Sequence, residues 1–159
     1  MYKIGIDLGG TNIALGIIRD DRIVFKNSIP TGLPKAPKRL VGDIKDFVEN
    51  SILEFGITIN DIEKIGFGIP GSINEKTSHL EFANNFGYIH VPLIKMLRDT
   101  MNIPVFAGND ANVAALAEYA LGAAKGADSM AMFTLGTGLG GAYISQGKIL
   151  SLRDRKSVV

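Results

Sequence analysis

The stretch Ile4-Gly5-Ile6-Asp7-Leu8-Gly9-Gly10-Thr11-Asn12 constrains the fold more than any other part of the chain. The apolar run from Tyr2 to Leu8 has the length and residue types of a buried strand. Gly9-Gly10 then lets the backbone turn where a side chain would block it. Such a turn directs amide N–H groups and the Thr11 hydroxyl outward, a cradle for anionic oxygens. A carboxylate such as Asp7 belongs beside that cradle only if a divalent cation stands between it and a phosphate. A plain hairpin turn containing Gly-Gly is the competing reading, and this segment alone leaves both open.

The next segments extend the pattern. Asn12 to Arg19 and Arg22 to Ile29 are further apolar runs, separated by Asp20-Asp21 as a two-residue turn. Three strands so joined form an antiparallel meander. Pro30 to Pro37, with three prolines and a glycine, reads as a loop. Leu40, Val41, Ile44, Phe47, Val48, Ile52 and Phe55 recur at helical spacing, which predicts a helix over Lys38 to Glu54 closed by Gly56. Ile62 to Gly68 is a strand, and Ser72 to Tyr88 a polar, irregular segment with a short strand. Pro92 opens a helix through Met101 whose apolar face carries Met96 and Met101. Val105 to Ala107 is a strand, and Ala111 to Leu121 a helix capped by Gly122. Met130 to Leu135 and Ala142 to Ser145 are strands, with a turn at Gln146-Gly147.

Three antiparallel strands followed by helix, strand, helix, strand call for parallel crossovers. The expected class is α/β with a mixed sheet. A strand, Gly-rich turn, strand unit near Ser129 repeats the opening unit and reads as the start of a second, similar lobe. The expected division is a first lobe over 1–122, the beginning of a second over 123–150, and a tail over 151–159.

Charge and composition narrow the function. With 17 basic against 16 acidic residues, net charge +1, nothing attracts a polyanion, so no nucleic-acid partner is expected. Without cysteine there is neither a disulfide nor a thiolate zinc site, in keeping with a reducing compartment. No run is long enough to span a membrane, and Asp7 with its glycines interrupts any signal-peptide core, so the expected location is cytoplasmic. Glycine makes up 19 of 159 residues, about 12% against a usual ~7%. These glycines cluster after strands, which suggests backbone approaching a ligand.

Four turns carry them: Gly9-Gly10, Gly68 to Gly71, Gly108, and Gly136 to Gly141. Ligands of open α/β sheets bind beyond the carboxyl ends of strands, so four such ends suggest one cleft. In Asn109-Asp110-Ala111-Asn112, Asp110 stands between a strand end and a helix start. A carboxylate held there can take a proton from a hydroxyl nucleophile, as phosphoryl transfer requires, or can simply cap the helix. Gly136-Thr137-Gly138-Leu139-Gly140-Gly141 matches the dinucleotide spacing G-x-G-x-x-G, but that site needs a following helix, whereas Ala142 to Ser145 reads as strand. A hairpin phosphate clasp paired with Gly9 to Thr11 accounts for it better. No P-loop is present. His79 and His90 read as surface histidines without ligand spacing, and Lys35, Lys38 and Arg39 as a solvated loop and helix start.

The spaced set Ile6-Asp7-Leu8-Gly9-Gly10-Thr11-Asn12, Gly68-Ile69-Pro70-Gly71, Asn84-Asn85-Phe86 with Val91-Pro92-Leu93, Asn109-Asp110-Ala111-Asn112 and Leu135 to Gly141 resembles the ROK family of sugar kinases, most closely its glucokinase branch. The likeness runs from Lys3 to about Ile149 and implies a ribonuclease H-like, actin-like ATPase lobe. It implies that Asp7 helps place Mg2+, and that Gly9, Gly10, Thr11, Asn12, Gly136, Thr137 and Gly138 hold ATP phosphates. Asp110 would be the catalytic base. Gly71, Asn85, Asn109 and Asp110 would contact the sugar. A hexose and ATP are the implied partners, within a homodimer.

The sequence also departs from the family. Members are about twice as long and continue into a Glu-x-Gly-His sugar element and a cysteine-rich zinc site, both missing here. Asp154 to Val159 has no apolar period and matches what a sequencing adapter encodes in frame, so a non-native tail is expected. The family's repressor branch carries a helix-turn-helix ahead of the first strand, which this sequence lacks. The expected activity is an ATP-dependent hexokinase, with the chain inactive alone. The alternatives are a non-catalytic sugar sensor or regulator of the same family, or an N-acetylmannosamine, allose or fructose kinase.

Overall fold

The computed structural model describes residues 1–74, 77–135 and 139–150. β1 (Tyr2–Leu8), β2 (Asn12–Arg19) and β3 (Arg22–Pro30) form the expected antiparallel meander. Asp20 and Asp21 link β2 to β3 with φ of 50° and 58°. Two left-handed residues in succession match the twist of paired strands, and Asp tolerates that backbone.

α1 (Pro37–Phe55) begins on a proline, whose missing N–H is harmless in the first turn. It ends at Gly56, φ 83°, whose N–H reaches the Leu53 carbonyl at 3.0 Å while that of Ile57 reaches Ile52 at 3.2 Å. These paired bonds form a Schellman cap. β4 (Ile62–Ile69) follows. Then β5 (Ser72–Asn74), β6 (His79–Ala83) and β7 (Tyr88–Val91) make a three-stranded antiparallel sheet where the sequence suggested an irregular segment with one short strand. These strands are short, and they are tied by polar side chains rather than by alternating apolar ones. Asn74 on β5 and His90 on β7 both bind Glu81 on β6. The histidines are therefore strand residues beside each other, not isolated loop residues.

Pro92 precedes α2 (Leu93–Thr100) as its N-cap instead of opening it, with ψ of 49° outside the helical range. Met101 is buried and Met96 packs on the core, as their spacing predicted. β8 (Val105–Asn109) completes a five-stranded sheet in the order β3-β2-β1-β4-β8, with β4 parallel to β1 and β8 parallel to β4. Alternate residues Ile4, Ile6, Leu8, Ile13, Leu15, Ile17, Ile65, Phe67 and Ile69 are buried in one core cluster with residues of α1 and α2. Each such side chain gains at most roughly 1.5–3 kcal/mol on burial, so this face fixes the strand register. Lys35 is not solvated as expected: only 17% of its side chain is exposed, and it pairs with Asp43, which also binds Arg39 at 2.9 Å. Tyr88 Oη donates to the Lys35 carbonyl at 2.6 Å, fastening the loop that carries it.

The chain divides between Asn109 and Asp110 into two compact units. The second begins with α3 (Asp110–Leu121), followed by β9 (Ser129–Leu135), β10 (Leu139–Ser145) and β11 (Lys148–Ile149), in sheet order β11-β10-β9. Ala115 of α3 is buried with Ala142 and Ile144 of β10, so α3 groups with the strands after it. Gly122 follows the helix without a left-handed backbone; the Glu118 carboxylate instead accepts the Ala123 N–H at 3.0 Å, filling the space a Gly122 side chain would need. Phe133 and Leu135 are exposed on β9. Asp154 to Val159 lie outside the described residues. No helix among the described residues is long and apolar enough to cross a membrane.

Candidate active site

Strand register lines up the first part of the site. Asp7 pairs with Gly68 on β4, and Gly68 with Gly108 on β8. Residues in register share a face, so Asp7 projects from the face opposite the core, and its neighbours on two successive strands lack side chains. Its carboxylate is exposed at the carboxyl end of β1.

The turn after β1 is closed by its own backbone: the Gly9 N–H donates to the Asn12 carbonyl at 3.0 Å. A Cβ on Gly9 would lie 2.7 Å from that carbonyl oxygen, so the turn admits only glycine there. Thr31, fully buried at the end of β3, clamps it from below. Its hydroxyl donates to the Gly9 carbonyl at 2.7 Å, and its N–H to the Thr11 carbonyl at 2.8 Å. Two carbonyls are thereby turned inward, while Thr11 and Asn12 stay exposed. Sequence reading missed Thr31, which carries no signal beyond a lone hydroxyl in a proline-rich segment.

Asn85 stands against this turn. A Cβ on Gly10 would lie 3.2 Å from the Asn85 Cβ. Asn85 belongs to a short 3-10 helix, Asn84–Phe86, directly after β6. At the other end of the same sheet unit, Asn109 Nδ2 donates to the Gly71 carbonyl at 3.0 Å. Gly71 has φ 102°, and a Cβ there would overlap the Phe82 carbonyl oxygen and lie 3.0 Å from Ala83 Cα. The first unit thus brings together the predicted phosphate residues Gly9, Gly10, Thr11 and Asn12, and Asn85 from the predicted sugar set. It also joins Asn109 to Gly71.

In the second unit Asp110 is the first residue of α3, and its Oδ1 accepts the Ala111 N–H at 2.8 Å. The carboxylate thus sits at the positive end of the helix. Gly140 approaches the same helix turn: a Cβ there would lie 3.4 Å from Ala111 Cβ and overlap the Thr134 hydroxyl. Leu139–Ser145 is a strand, not the helix a dinucleotide fingerprint requires. Gly136, Thr137 and Gly138 lie outside the described residues, between the paired Leu135 and Leu139.

Among the described residues no group of three His, Cys, Asp or Glu side chains converges to hold a cation. Magnesium seldom needs such a cage, being held by one or two carboxylates plus phosphate and water. An exposed Asp7 at the end of β1, beside the Gly9–Asn12 turn, fits that donor set.

The ROK family profile matches residues 3–151. A glucokinase of Halalkalibacterium halodurans is 36% identical over 150 residues, covering 94% of this chain and 46% of the relative. A glucokinase of Thermotoga maritima is 36% identical over 155 residues, covering 95% of this chain and 47% of the relative. The chain thus spans about half the length of the curated relatives it matches. A crystal structure of a ROK family glucokinase from Streptomyces griseus, in complex with glucose and AMPPNP, matches with a TM-score of 0.82 at 35% identity, over 94% of this chain and 46% of that one. On this profile match and these identities, the chain belongs to the ROK family of sugar kinases and related proteins, and its first sheet is that of an actin-like ATPase lobe.

Proposed function

We propose that this chain is the N-terminal part of an ATP-dependent hexose kinase of glucokinase type. The observation that carries the reading is the packing of Asn85, a hydroxyl-binding side chain, against the Gly10 turn. A sugar hydroxyl and an anionic group held at those places would be neighbours. The support from relatives is the identity to glucokinases and the glucose and AMPPNP of the similar structure.

In this reading Asn85, Asn109 and the Gly71 backbone orient the sugar. Gly10, Thr11 and Asn12, on the turn that Gly9 closes, would hold phosphate oxygens, as would Gly136, Thr137 and Gly138. Asp7 would hold Mg2+ through water, and the bound ion would neutralise charge on the phosphates. Asp110 takes the proton of the reacting hydroxyl as its oxygen bonds the γ-phosphorus and the bond to the ADP oxygen breaks. Residues 1–122 would be the sugar-kinase lobe and 123–150 the opening of the ATP-side lobe, in a cytoplasmic homodimer.

The test joins the chain to the C-terminal half of a family kinase and measures glucose-dependent ADP release. Turnover in the joined protein, lowered by roughly 10²–10⁴ in Asp110→Asn, is the expected result. A joined protein that binds glucose yet never turns over ATP would refute the kinase reading in favour of a sugar sensor.

A further inference from the structure

One face of the β5–β6–β7 sheet carries a polar cluster the kinase reading does not use. Glu81 stands at its centre. Its Oε1 accepts Asn74 Nδ2 at 2.9 Å, and its Oε2 accepts His90 Nδ1 at 2.8 Å. His79 lies two residues earlier on β6, hence on the same face, and its Nδ1 meets the Thr77 carbonyl at 2.9 Å. The two imidazole rings are 5.1 Å apart, inclined at 34°.

A backbone carbonyl and an ionised carboxylate only accept hydrogen bonds, so Nδ1 bears the proton in both rings. A ring that is neutral with its proton on Nδ1 presents its lone pair on Nε2. A ring whose other nitrogen donates to a carboxylate or a backbone carbonyl is the arrangement that orients metal-ligating histidines. Both versions occur here, on neighbouring rings. Bonds of about 2.0–2.1 Å from each Nε2 would let one ion bridge rings at this separation after modest side-chain rotation.

We propose that His79 and His90 bind one divalent transition cation, with zinc the best fit to paired imidazoles, through their Nε2 atoms. Water completes the coordination, because no third His, Asp or Glu converges there among the described residues. Glu81 and the Thr77 carbonyl act behind the ligands. The Arg98 guanidinium, bound to Ser78 Oγ at 2.8 Å beside His79, opposes the cation and keeps the affinity modest. The bound ion would bridge β6 to β7. This proposal is independent of the kinase reading.

Zinc is titrated into metal-free protein by calorimetry at neutral pH, with amide exchange followed at the paired residues Leu80 and Val91. One zinc per chain is expected, with slower exchange at both amides. His79→Gln and His90→Gln should each weaken binding at least ~10-fold, and Glu81→Gln by roughly 10–100-fold. His90 is exposed and Glu81 partly so, and unchanged melting of the metal-free variants checks that they fold. Absence of saturation by about 1 mM zinc overturns the proposal, as does saturation that both histidine variants retain.

Discussion

Asn85 is the side chain that Gly10 makes room for: a methyl group on Gly10 would come within 3.2 Å of the Asn85 Cβ. Gly10→Ala is therefore a test of the pairing, not of backbone strain. Asn85 must give by a few tenths of an ångström. On the proposed assignment of Asn85 to the sugar, the glucose KM of the joined protein should rise about 10-fold, because the displaced side chain no longer holds its ligand in place. An unchanged glucose KM with a raised ATP KM would place Asn85 outside the sugar site.

Thr31→Val removes the hydroxyl that donates to Gly9 at 2.7 Å while keeping its volume. The Gly9 carbonyl loses its partner, so unfolding free energy should fall by about 1–3 kcal/mol. Urea denaturation measures this. A loss below ~0.5 kcal/mol would mean that water replaces the hydroxyl.

Gly71→Ala meets two obstacles together, a backbone at φ 102° and the Phe82 carbonyl where the methyl would go. The sheet of β5 and β6 has to shift. A destabilisation of about 3 kcal/mol or more is expected, with loss of sugar binding in whatever remains folded. Thermal melts with and without glucose separate the two effects.

The Asp43 carboxyl is held below its ordinary value of 3.8, first by the hydrogen bond from Lys35 and then by the charges of Lys35 and Arg39 acting against its desolvation. A folded-state value below the unfolded one adds stability that is complete above the unfolded value and disappears as pH falls through the folded one. Asp43→Asn should accordingly cost about 1 kcal/mol near neutrality, and the gap from the parent protein should narrow as pH falls below the ordinary value of 3.8. Urea midpoints followed from neutral pH down through the acid range check this; a gap that stays constant throughout would show that packing, not charge, is responsible.

What the sequence disclosed followed the apolar period. Alternating residues from Ile4 to Leu8 and from Ile13 to Ile17, and the helical spacing from Leu40 to Ile52, announced the meander, the crossover and the core, because burying one face leaves little choice of register. The sheet of β5, β6 and β7 was hidden because its strands offer the core chiefly Leu80, Ala83 and Tyr88, and are tied together by Asn74, Glu81 and His90. Lys35 and Thr31 were misjudged or missed for the same reason: their partners, Asp43 and Gly9, are set by the tertiary fold and not by spacing. At the site, Gly9 to Asn12 and Asn85 were legible as separate motifs, while their adjacency was not.

The glycines aligned beside Asp7 carry a practical consequence for anyone mapping this surface. Gly5 pairs with both Gly16 and Gly66, and Gly68 with Gly108, so alanine scanning has no side chain to truncate across this stretch. Its importance will register only when atoms are added, and a survey that reads function from deletions would leave the floor of the sheet blank.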